Sequence, residues 1–242
     1  MTEEKTADLP EGYEPHIGGS RQYMRDVILG VNDGLVSTFL LVSGVVGGGL
    51  DATAVLLTGI AGAVAGMISM AVGEYIATKS QEEVFDAELK LEAYHLEHFR
   101  DHERDQLREM LADMGLEGDD LSTVVRIIDG NEEAMMNMHK AVEFGIVDTE
   151  RRRPVAAAVA SGFLFLAGAV PSVIPFAIWE DTAVGLIVAA VLTGIGLFAV
   201  GAVKTMQTRK NPIVSGTENL AFGLIGGAIA FMVGKAFDQL IN

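Results

Sequence analysis

Long apolar runs separated by polar connections dominate the chain, and they predict helices that cross a membrane. About 20 helical residues, rising roughly 1.5 Å each, are enough to cross the ~30 Å hydrocarbon core of a bilayer. Five runs reach or approach this length, at residues 27–50, 52–78, 155–178, 183–203 and 220–237. The predicted fold class is therefore all-α, a polytopic membrane protein with five transmembrane helices and a helical insert between helices 2 and 3.

Glycine and proline within these runs predict how the helices pack. Glycines recur at four-residue spacing, which lets helices approach closely, although glycine is also common in membrane helices in general. These pairs are Gly30 with Gly34, Gly44 with Gly48, Gly62 with Gly66, and Gly223 with Gly227. Pro171 and Pro175 lie within the third run and should kink or break its helix.

Charge is concentrated outside the apolar runs and is strongly acidic. The formal net charge is −16, and residues 79–154 alone hold 10 Lys and Arg against 20 Asp and Glu. An acidic excess argues against nucleic acid as a partner and favours the attraction of cations. The chain has no cysteine, which excludes disulfides and thiolate metal sites.

The distribution of polar and apolar residues predicts four parts. Residues 1–25 are polar, without the apolar segment of a cleavable signal, and should form a flexible tail. Residues 26–78 should form transmembrane helices 1 and 2, residues 79–154 a helical metal-binding insert, and residues 155–242 transmembrane helices 3–5. The second helix should continue into the insert, because residues 78–99 contain neither proline nor glycine.

The basic residues predict the orientation, since Lys and Arg are enriched on the cytoplasmic side of membrane helices. They flank the same ends of the runs: Arg21, Arg25, Lys79, Arg151, Arg152, Arg153, Lys204, Arg209 and Lys210. The connections at residues 47–51 and 179–182 contain none. We therefore expect the N-terminus and the insert in the cytoplasm and the C-terminus on the other side.

Two carboxylates and a thioether within the first two runs are candidate pore ligands. A carboxylate such as Asp33 costs about 2.5–3.5 kcal/mol at the centre of a membrane helix, so it should face a cavity or a cation. Met70 and Glu74 are four residues apart and share a helix face. Carboxylates attract any divalent ion, whereas sulfur favours Fe²⁺ and its transition-metal neighbours. Solvation at the interface and methionine packing are the alternative interpretations.

The insert carries a second set of candidate ligands. Glu88, Glu92 and His95 line one stripe of the extended second helix, and Glu92 with His95 forms a Glu-x-x-His pair of the kind used in helical metal sites. A second acidic helix should carry Glu103, Gln106 and Glu109 at three-residue steps.

A further helix of the insert should begin at Asn131 as its N-cap. It carries His139, Glu143 and several methionines. Charged helix faces are usually only solvated, and clustered methionines more often pack in a core than bind metal. Four of the five histidines nevertheless lie among carboxylates in the insert, which favours metal binding. One Glu-x-x-His pair is not the signature of a di-iron enzyme, which needs two.

Three segments of the chain resemble the vacuolar iron transporter family. Residues 25–35 read RDVILGVNDGL, residues 68–75 read ISMAVGEY and continue to Lys79-Ser80-Gln81, and residues 168–171 read GAVP. The resemblance extends over nearly everything after the tail.

This resemblance implies a homodimeric antiporter that exports Fe²⁺, and also Mn²⁺, Co²⁺ or Zn²⁺, from the cytosol in exchange for protons, with no tightly bound cofactor. It implies a pore at the dimer interface in which Asp33 and Met70 bind the ion, and an insert that gathers metal through glutamates. The membrane would be the cell membrane in a prokaryote and the vacuolar membrane in a eukaryote.

The resemblance also assigns ligands in the insert, with three departures. Glu92, Glu103 and Glu143 match the ligand positions that the family leads us to expect. His95 and Gln106 stand where carboxylates are expected, and His139 where methionine is expected. Two other classes of function stay open: a membrane-anchored ferroxidase that uses the insert, and a metal sensor whose helices only anchor it.

Overall fold

The computed structural model describes residues 20–145, 152–208 and 211–241 of the 242-residue chain. Within these ranges the protein is helical and has no strand. The helices in chain order are α1 (Ser20–Gly47), α2 (Ala52–His98), α3 (Arg100–Asp113), α4 (Gly118–Asp129), α5 (Glu132–Val142), α6 (Pro154–Val173), α7 (Pro175–Ile178), α8 (Thr182–Thr208) and α9 (Pro212–Ile241). The all-α prediction is confirmed. Residues 1–19 of the predicted tail, Arg151, Arg209 and Lys210 lie outside the described residues. The last residues assigned to the tail, 20–25, are instead the first residues of α1, because the helix begins before its apolar run.

Five of the described helices are long and apolar enough to cross a membrane, as the apolar runs predicted. They are α1 from Met24, α2, α6, α8 to Thr205 and α9. Helix α2 runs for 47 residues without interruption, which confirms that the second span continues into the insert.

The fifth span is longer than its apolar run predicted, because α9 begins at Pro212 rather than near residue 220. Asn211 accounts for this start: its side chain accepts a hydrogen bond from the backbone N–H of Ile213 (2.9 Å), and Pro212 lacks the N–H that a first helical residue leaves unpaired. The first two turns include Ser215, Thr217 and Glu218, and these polar residues hid the helix from a hydropathy argument.

The third span is interrupted near its end, as its prolines predicted. Helix α6 accommodates Pro171 but ends at Val173, and the four-residue α7 begins at Pro175. The polar Ser172 nearby is fully buried, and its hydroxyl shares a 2.9 Å hydrogen bond with that of Thr193. This bond satisfies two hydroxyl groups that would otherwise be unpaired in an apolar environment.

The chain forms two compact units, of which the first comprises Met1–Ile60 and Ala167–Asn242. Its buried core contains Phe39, Val42, Val55, Phe176 and Ala189. Helices α1, α8 and α9 pack on one another.

Glycine allows the close approach of α1 and α9. A Cβ at Gly47 would overlap the carbonyl oxygen of Phe231, and one at Gly234 would overlap the carbonyl oxygen of Gly44. The two backbones therefore meet without side chains between them. Of the glycines singled out from the sequence, Gly44 takes part in this contact, whereas Gly47 and Gly234 were not predicted.

The second unit comprises Ala61–Leu166 and includes the insert. Leu96, Leu107, Leu111, Val125 and Met135 form its buried core. Met136 and Met138 pack against this core, so the clustered methionines of α5 are packing residues here. The sequence argument did not identify α4, which supplies Val125 to the core.

Two polar contacts define the helix ends in the insert. Asn131 is the N-cap of α5, as predicted, and its side chain accepts a 3.0 Å hydrogen bond from the backbone N–H of Ala134. Arg100, at the start of α3, pairs with Asp129 at the end of α4 through a 2.8 Å contact between its Nε and the Oδ1 of Asp129. The Arg100–Asp129 pair joins α3 to α4, whereas the Asn131 cap acts within α5, which packs with both helices through the shared core.

Candidate metal centre

Three helices of the insert each bring one buried ligand-type side chain to the same point. Glu92 comes from α2, Glu103 from α3 and His139 from α5, and each is at most 2% exposed. One donor atom from each of these residues lies within 4.8 Å of the others. Carboxylate oxygen and imidazole nitrogen are ligands for divalent transition metals, so this geometry is that of a candidate metal centre.

The imidazole of His139 lies at the middle of this centre. Its Nδ1 is 3.2 Å from Oε1 of Glu92, 3.8 Å from Oε2 of Glu103 and 3.2 Å from Oε2 of Glu143. Glu143 is one turn further along the chain and is about one-third exposed, so it borders the centre from the solvent side.

His95 forms the outer edge of the centre. Its Nδ1 lies 3.6 Å from Oε1 of Glu103, and 36% of its side chain is exposed. The Glu-x-x-His pair of α2 thus places Glu92 inside the domain and His95 at its surface.

Three of the atoms of this centre that could bind a metal have no hydrogen-bond partner among the described residues. They are Oε1 of Glu92, Oε2 of Glu103 and Nε2 of His139. An unpaired buried polar atom costs about 1–3 kcal/mol, and more when it is charged. A divalent cation between the three side chains would satisfy these atoms and neutralise the carboxylates, which is the physical reason to interpret the cluster as a metal centre.

Electrostatics in the metal-free centre favour a proton on Glu92. Burial raises the pKa of its carboxyl above the usual range, and the nearby carboxylates Glu103 and Glu143 act in the same direction. Positive charge on His139 or His95 opposes this rise in pKa. Protons therefore compete with a metal ion for Glu92 at higher pH than they would at a solvated carboxylate.

Two of the remaining predicted ligands of the insert, Glu88 and Glu109, do not belong to this group. Glu88 lies one turn before Glu92 on α2 and is half-buried, and Glu109 is exposed on α3. Neither belongs to the set of described donors within 4.8 Å of one another. Gln106 is half-buried, one turn after Glu103. These three residues share helices with Glu92 or Glu103, which explains why a spacing argument included them.

The predicted membrane ligands are divided between the two units. Asp33 belongs to the first unit and is exposed on α1. Ser37 lies one turn further along this helix, and its hydroxyl donates to the backbone carbonyl oxygen of Asp33 (2.5 Å). The neighbouring Asn32 accepts a 2.7 Å hydrogen bond from Nδ2 of Asn219, which also donates to the Leu197 carbonyl oxygen (2.8 Å). Asn219 therefore connects α9, α8 and the segment of α1 that carries Asp33.

Met70 and Glu74 belong to the second unit and are half-buried on α2. Glu74 is paired with Arg152, whose Nη1 donates to Oε1 of Glu74 at 3.0 Å. Thr78 donates its hydroxyl to the same oxygen at 3.2 Å. The sequence argument used Arg152 only to predict orientation and did not identify it as the partner of Glu74. The signal that could have revealed the pair was the lone acidic residue of the second span together with the arginine run before the third, since both lie where these spans adjoin the insert.

Comparison with known proteins places these residues in a family. The model of the VIT family matches residues 24–235. Vacuolar iron transporter 1 of Tulipa gesneriana is 31% identical over 232 residues, which cover 96% of this chain and 94% of that protein. Vacuolar iron transporter 1 of Arabidopsis thaliana is 30% identical over 236 residues, covering 98% and 94%. The matched residues include both membrane carboxylates and the whole metal centre, and the chain belongs to the VIT family.

Proposed function

We propose that this protein is a secondary transporter that moves Fe²⁺ out of the cytosol in exchange for protons. The observation that carries the proposal is the buried centre of Glu92, Glu103 and His139, whose donor atoms lie within 4.8 Å and include three without a hydrogen-bond partner. This centre belongs to a chain with five candidate membrane spans, and a membrane-embedded chain favours transport over storage. The names of the relatives, vacuolar iron transporters, support the same assignment.

The insert would gather metal on the cytoplasmic side. Its acidic surface attracts cations, and His95 and Glu143 border the buried centre from the solvent side. A centre of two carboxylates and one imidazole suits Fe²⁺, Mn²⁺, Co²⁺ and Zn²⁺ better than Mg²⁺ or Ca²⁺, which prefer oxygen ligands alone. His139 replaces a thioether with a harder donor, which favours Zn²⁺ and Co²⁺ more than a methionine would.

Within the membrane, Asp33, Met70 and Glu74 are the proposed ion ligands. A carboxylate in a membrane helix needs a compensating cation, and either a metal ion or a proton can supply it. Alternate occupation of the same carboxylates by metal and proton is the physical basis of the proposed exchange. The thioether of Met70 would add preference for transition metals over Mg²⁺.

We further propose a homodimer with the N-terminus and the insert in the cytoplasm. Large apolar side chains are exposed along the spans, for example Phe222 (69%) and Ile195 (64%), and both lipid and a second copy would cover such residues. The basic flanks of the spans favour the orientation. The membrane would be vacuolar in a eukaryote and the cell membrane in a prokaryote.

A proteoliposome assay tests the proposal. The full-length protein is reconstituted, Fe²⁺ is added outside under anaerobic conditions, and lumenal metal and lumenal pH are recorded together. We expect metal to enter while protons leave. Oxygen consumption on Fe²⁺ addition without metal entry would support a ferroxidase instead, and saturable binding with neither flux nor oxygen consumption would support a sensor.

A further inference from the structure

Arg152 already occupies the position at Glu74 where a cation would bind. The two side chains are 14% and 16% exposed, and Nη1 of Arg152 lies 3.0 Å from Oε1 of Glu74. Thr78 donates to the same oxygen. A carboxylate with this burial needs a positive partner, because the energy of removing it from water is not recovered otherwise.

A guanidinium and a divalent ion compete for this carboxylate. A divalent ion at Oε1 of Glu74 would lie beside Nη1 of Arg152, and like charges repel strongly at such short distance. Metal binding at this oxygen therefore favours displacement of the Arg152 side chain.

The backbone around Arg152 allows the side chain to leave while the chain stays in place. The backbone N–H of Arg152 donates to Oε1 of Glu82 at 3.4 Å, two turns further along α2 than Glu74. Arg152 also stands two residues before the first residue of α6. The bond to Glu82 and the start of α6 hold the main chain of Arg152 in place. Its side chain has several rotatable bonds and can move away from Glu74.

We propose that Arg152 is a tethered counter-ion of Glu74, which occupies the carboxylate in the metal-free protein and yields it to the transported divalent ion. It is a positioning residue: it holds the Glu74 side chain in place between transport cycles, and its competition sets the metal concentration at which Glu74 is occupied. This inference rests on the proposed transport function and adds to it the step that prepares the carboxylate.

The first test uses the wild-type protein and an arginine-selective reagent. Purified full-length protein is treated with phenylglyoxal with and without Co²⁺, and modification of Arg152 and Arg153 is measured by mass spectrometry. Because metal should release the Arg152 side chain, we expect its modification to rise several-fold with Co²⁺, while the already exposed Arg153 stays unchanged. In Glu74→Gln the modification of Arg152 should be high without metal and insensitive to it. Equal modification of wild-type Arg152 with and without Co²⁺ would overturn the inference.

The second test separates competition from a structural role through transport kinetics. Arg152→Gln removes the competing charge, so the KM for Co²⁺ should fall roughly three- to tenfold, the scale of one partly buried ion pair, with kcat within about twofold. Arg152→Lys should lie between this variant and the wild type. Arg153→Gln, a matched change at the adjacent exposed residue, should leave both constants unchanged.

The outcomes also separate this inference from the proposed function. An unchanged or higher KM in Arg152→Gln would mean that the pair only anchors the chain, and the inference would fail while transport stands. Absence of Co²⁺ and Fe²⁺ flux in wild-type vesicles would instead refute the proposed function. Should Arg152→Gln not fold, the modification of the wild-type protein still decides the question.

Discussion

Replacing Glu103 by glutamine should stabilise the metal-free protein and weaken its response to metal. Glu103 is 2% exposed, and its Oε2 has no hydrogen-bond partner among the described residues. A buried acceptor in this condition costs about 1–3 kcal/mol, and a charge costs more. Glutamine has nearly the same volume, removes the negative charge beside Glu92, and adds an N–H donor. We therefore expect the metal-free variant to gain about 1 kcal/mol in stability, within the scale of one buried hydrogen bond.

The same substitution removes an anionic ligand from the centre. Loss of a group that supports a metal site typically weakens binding by about 10–100-fold. At a metal concentration 100 times the wild-type Kd, binding stabilises the native protein by about 2.7 kcal/mol. A tenfold weaker site would supply only about 1.4 kcal/mol at that concentration, so about half of the stabilisation by metal should disappear.

Thermal unfolding of the purified full-length protein, with chelator and then with increasing Co²⁺, measures both effects. Glu109→Gln is the matched control, because it makes the same change on the same helix at an exposed position. Any stabilisation by metal bound within the membrane is common to all three proteins and cancels in the comparison. If Co²⁺ raises the Tm of Glu103→Gln as much as that of the wild type, Glu103 is not a ligand. A lower Tm of the metal-free variant would refute the argument from the unpaired carboxylate.

Three further predictions follow from the membrane carboxylate, the thioether and the pKa of Glu92. Asp33→Asn preserves volume and removes only charge, so it should abolish Fe²⁺ flux in proteoliposomes with near-normal expression; flux at the wild-type rate would refute the pore assignment. Met70→Leu should weaken transport of Fe²⁺ and Co²⁺ while competition by Mg²⁺ stays as in the wild type, because only the sulfur donor is lost; equal loss for Mg²⁺ would indicate a packing role. Burial raises the pKa of Glu92 above the ordinary value of a glutamate, so this residue stabilises the metal-free protein below that ordinary pKa, and the contribution is lost as the pH rises through the higher, folded-state pKa. Metal affinity should change in the opposite direction and fall as the pH is lowered through the raised pKa of Glu92, because protons compete with metal for its carboxylate. Thermal unfolding at several pH values measures the change in stability, and calorimetric titration measures the change in metal affinity. Glu92→Gln is the control variant, because it should lose the pH dependence of the metal-free protein.

Local sequence patterns were sufficient for the helices themselves. The run of residues 78–99 without proline or glycine predicted that α2 would continue far beyond the second span, and Asn131 predicted the start of α5. Both predictions rest on interactions within a few residues of each other along the chain, so they depend little on the rest of the fold. The start of α9 at Pro212 was missed because hydropathy does not distinguish a polar helical turn from a loop.

Helical spacing also identified residues that share a face, but it did not identify which faces meet. Glu88 and Glu92 are on the same stripe of α2, yet only Glu92 lies against Glu103 and His139. Gln106 and Glu109 follow Glu103 at the predicted three-residue steps, and Glu109 is exposed. The packing of α2, α3 and α5 around Leu107 and Met135 selects the members of the centre, and this packing depends on contacts between residues distant in sequence.

The sequence by itself therefore determined the five spans, the continuation of α2 and the set of carboxylates and histidines from which a metal centre could be made. Only the tertiary structure decided that Glu92, Glu103 and His139 converge, and that Arg152 neutralises Glu74 across 78 residues of sequence. The physical reason is that hydrophobicity and helix propensity act along the chain, at periods of a few residues. Charge pairing and metal coordination act through space, over distances of a few ångströms that only the packed helices define.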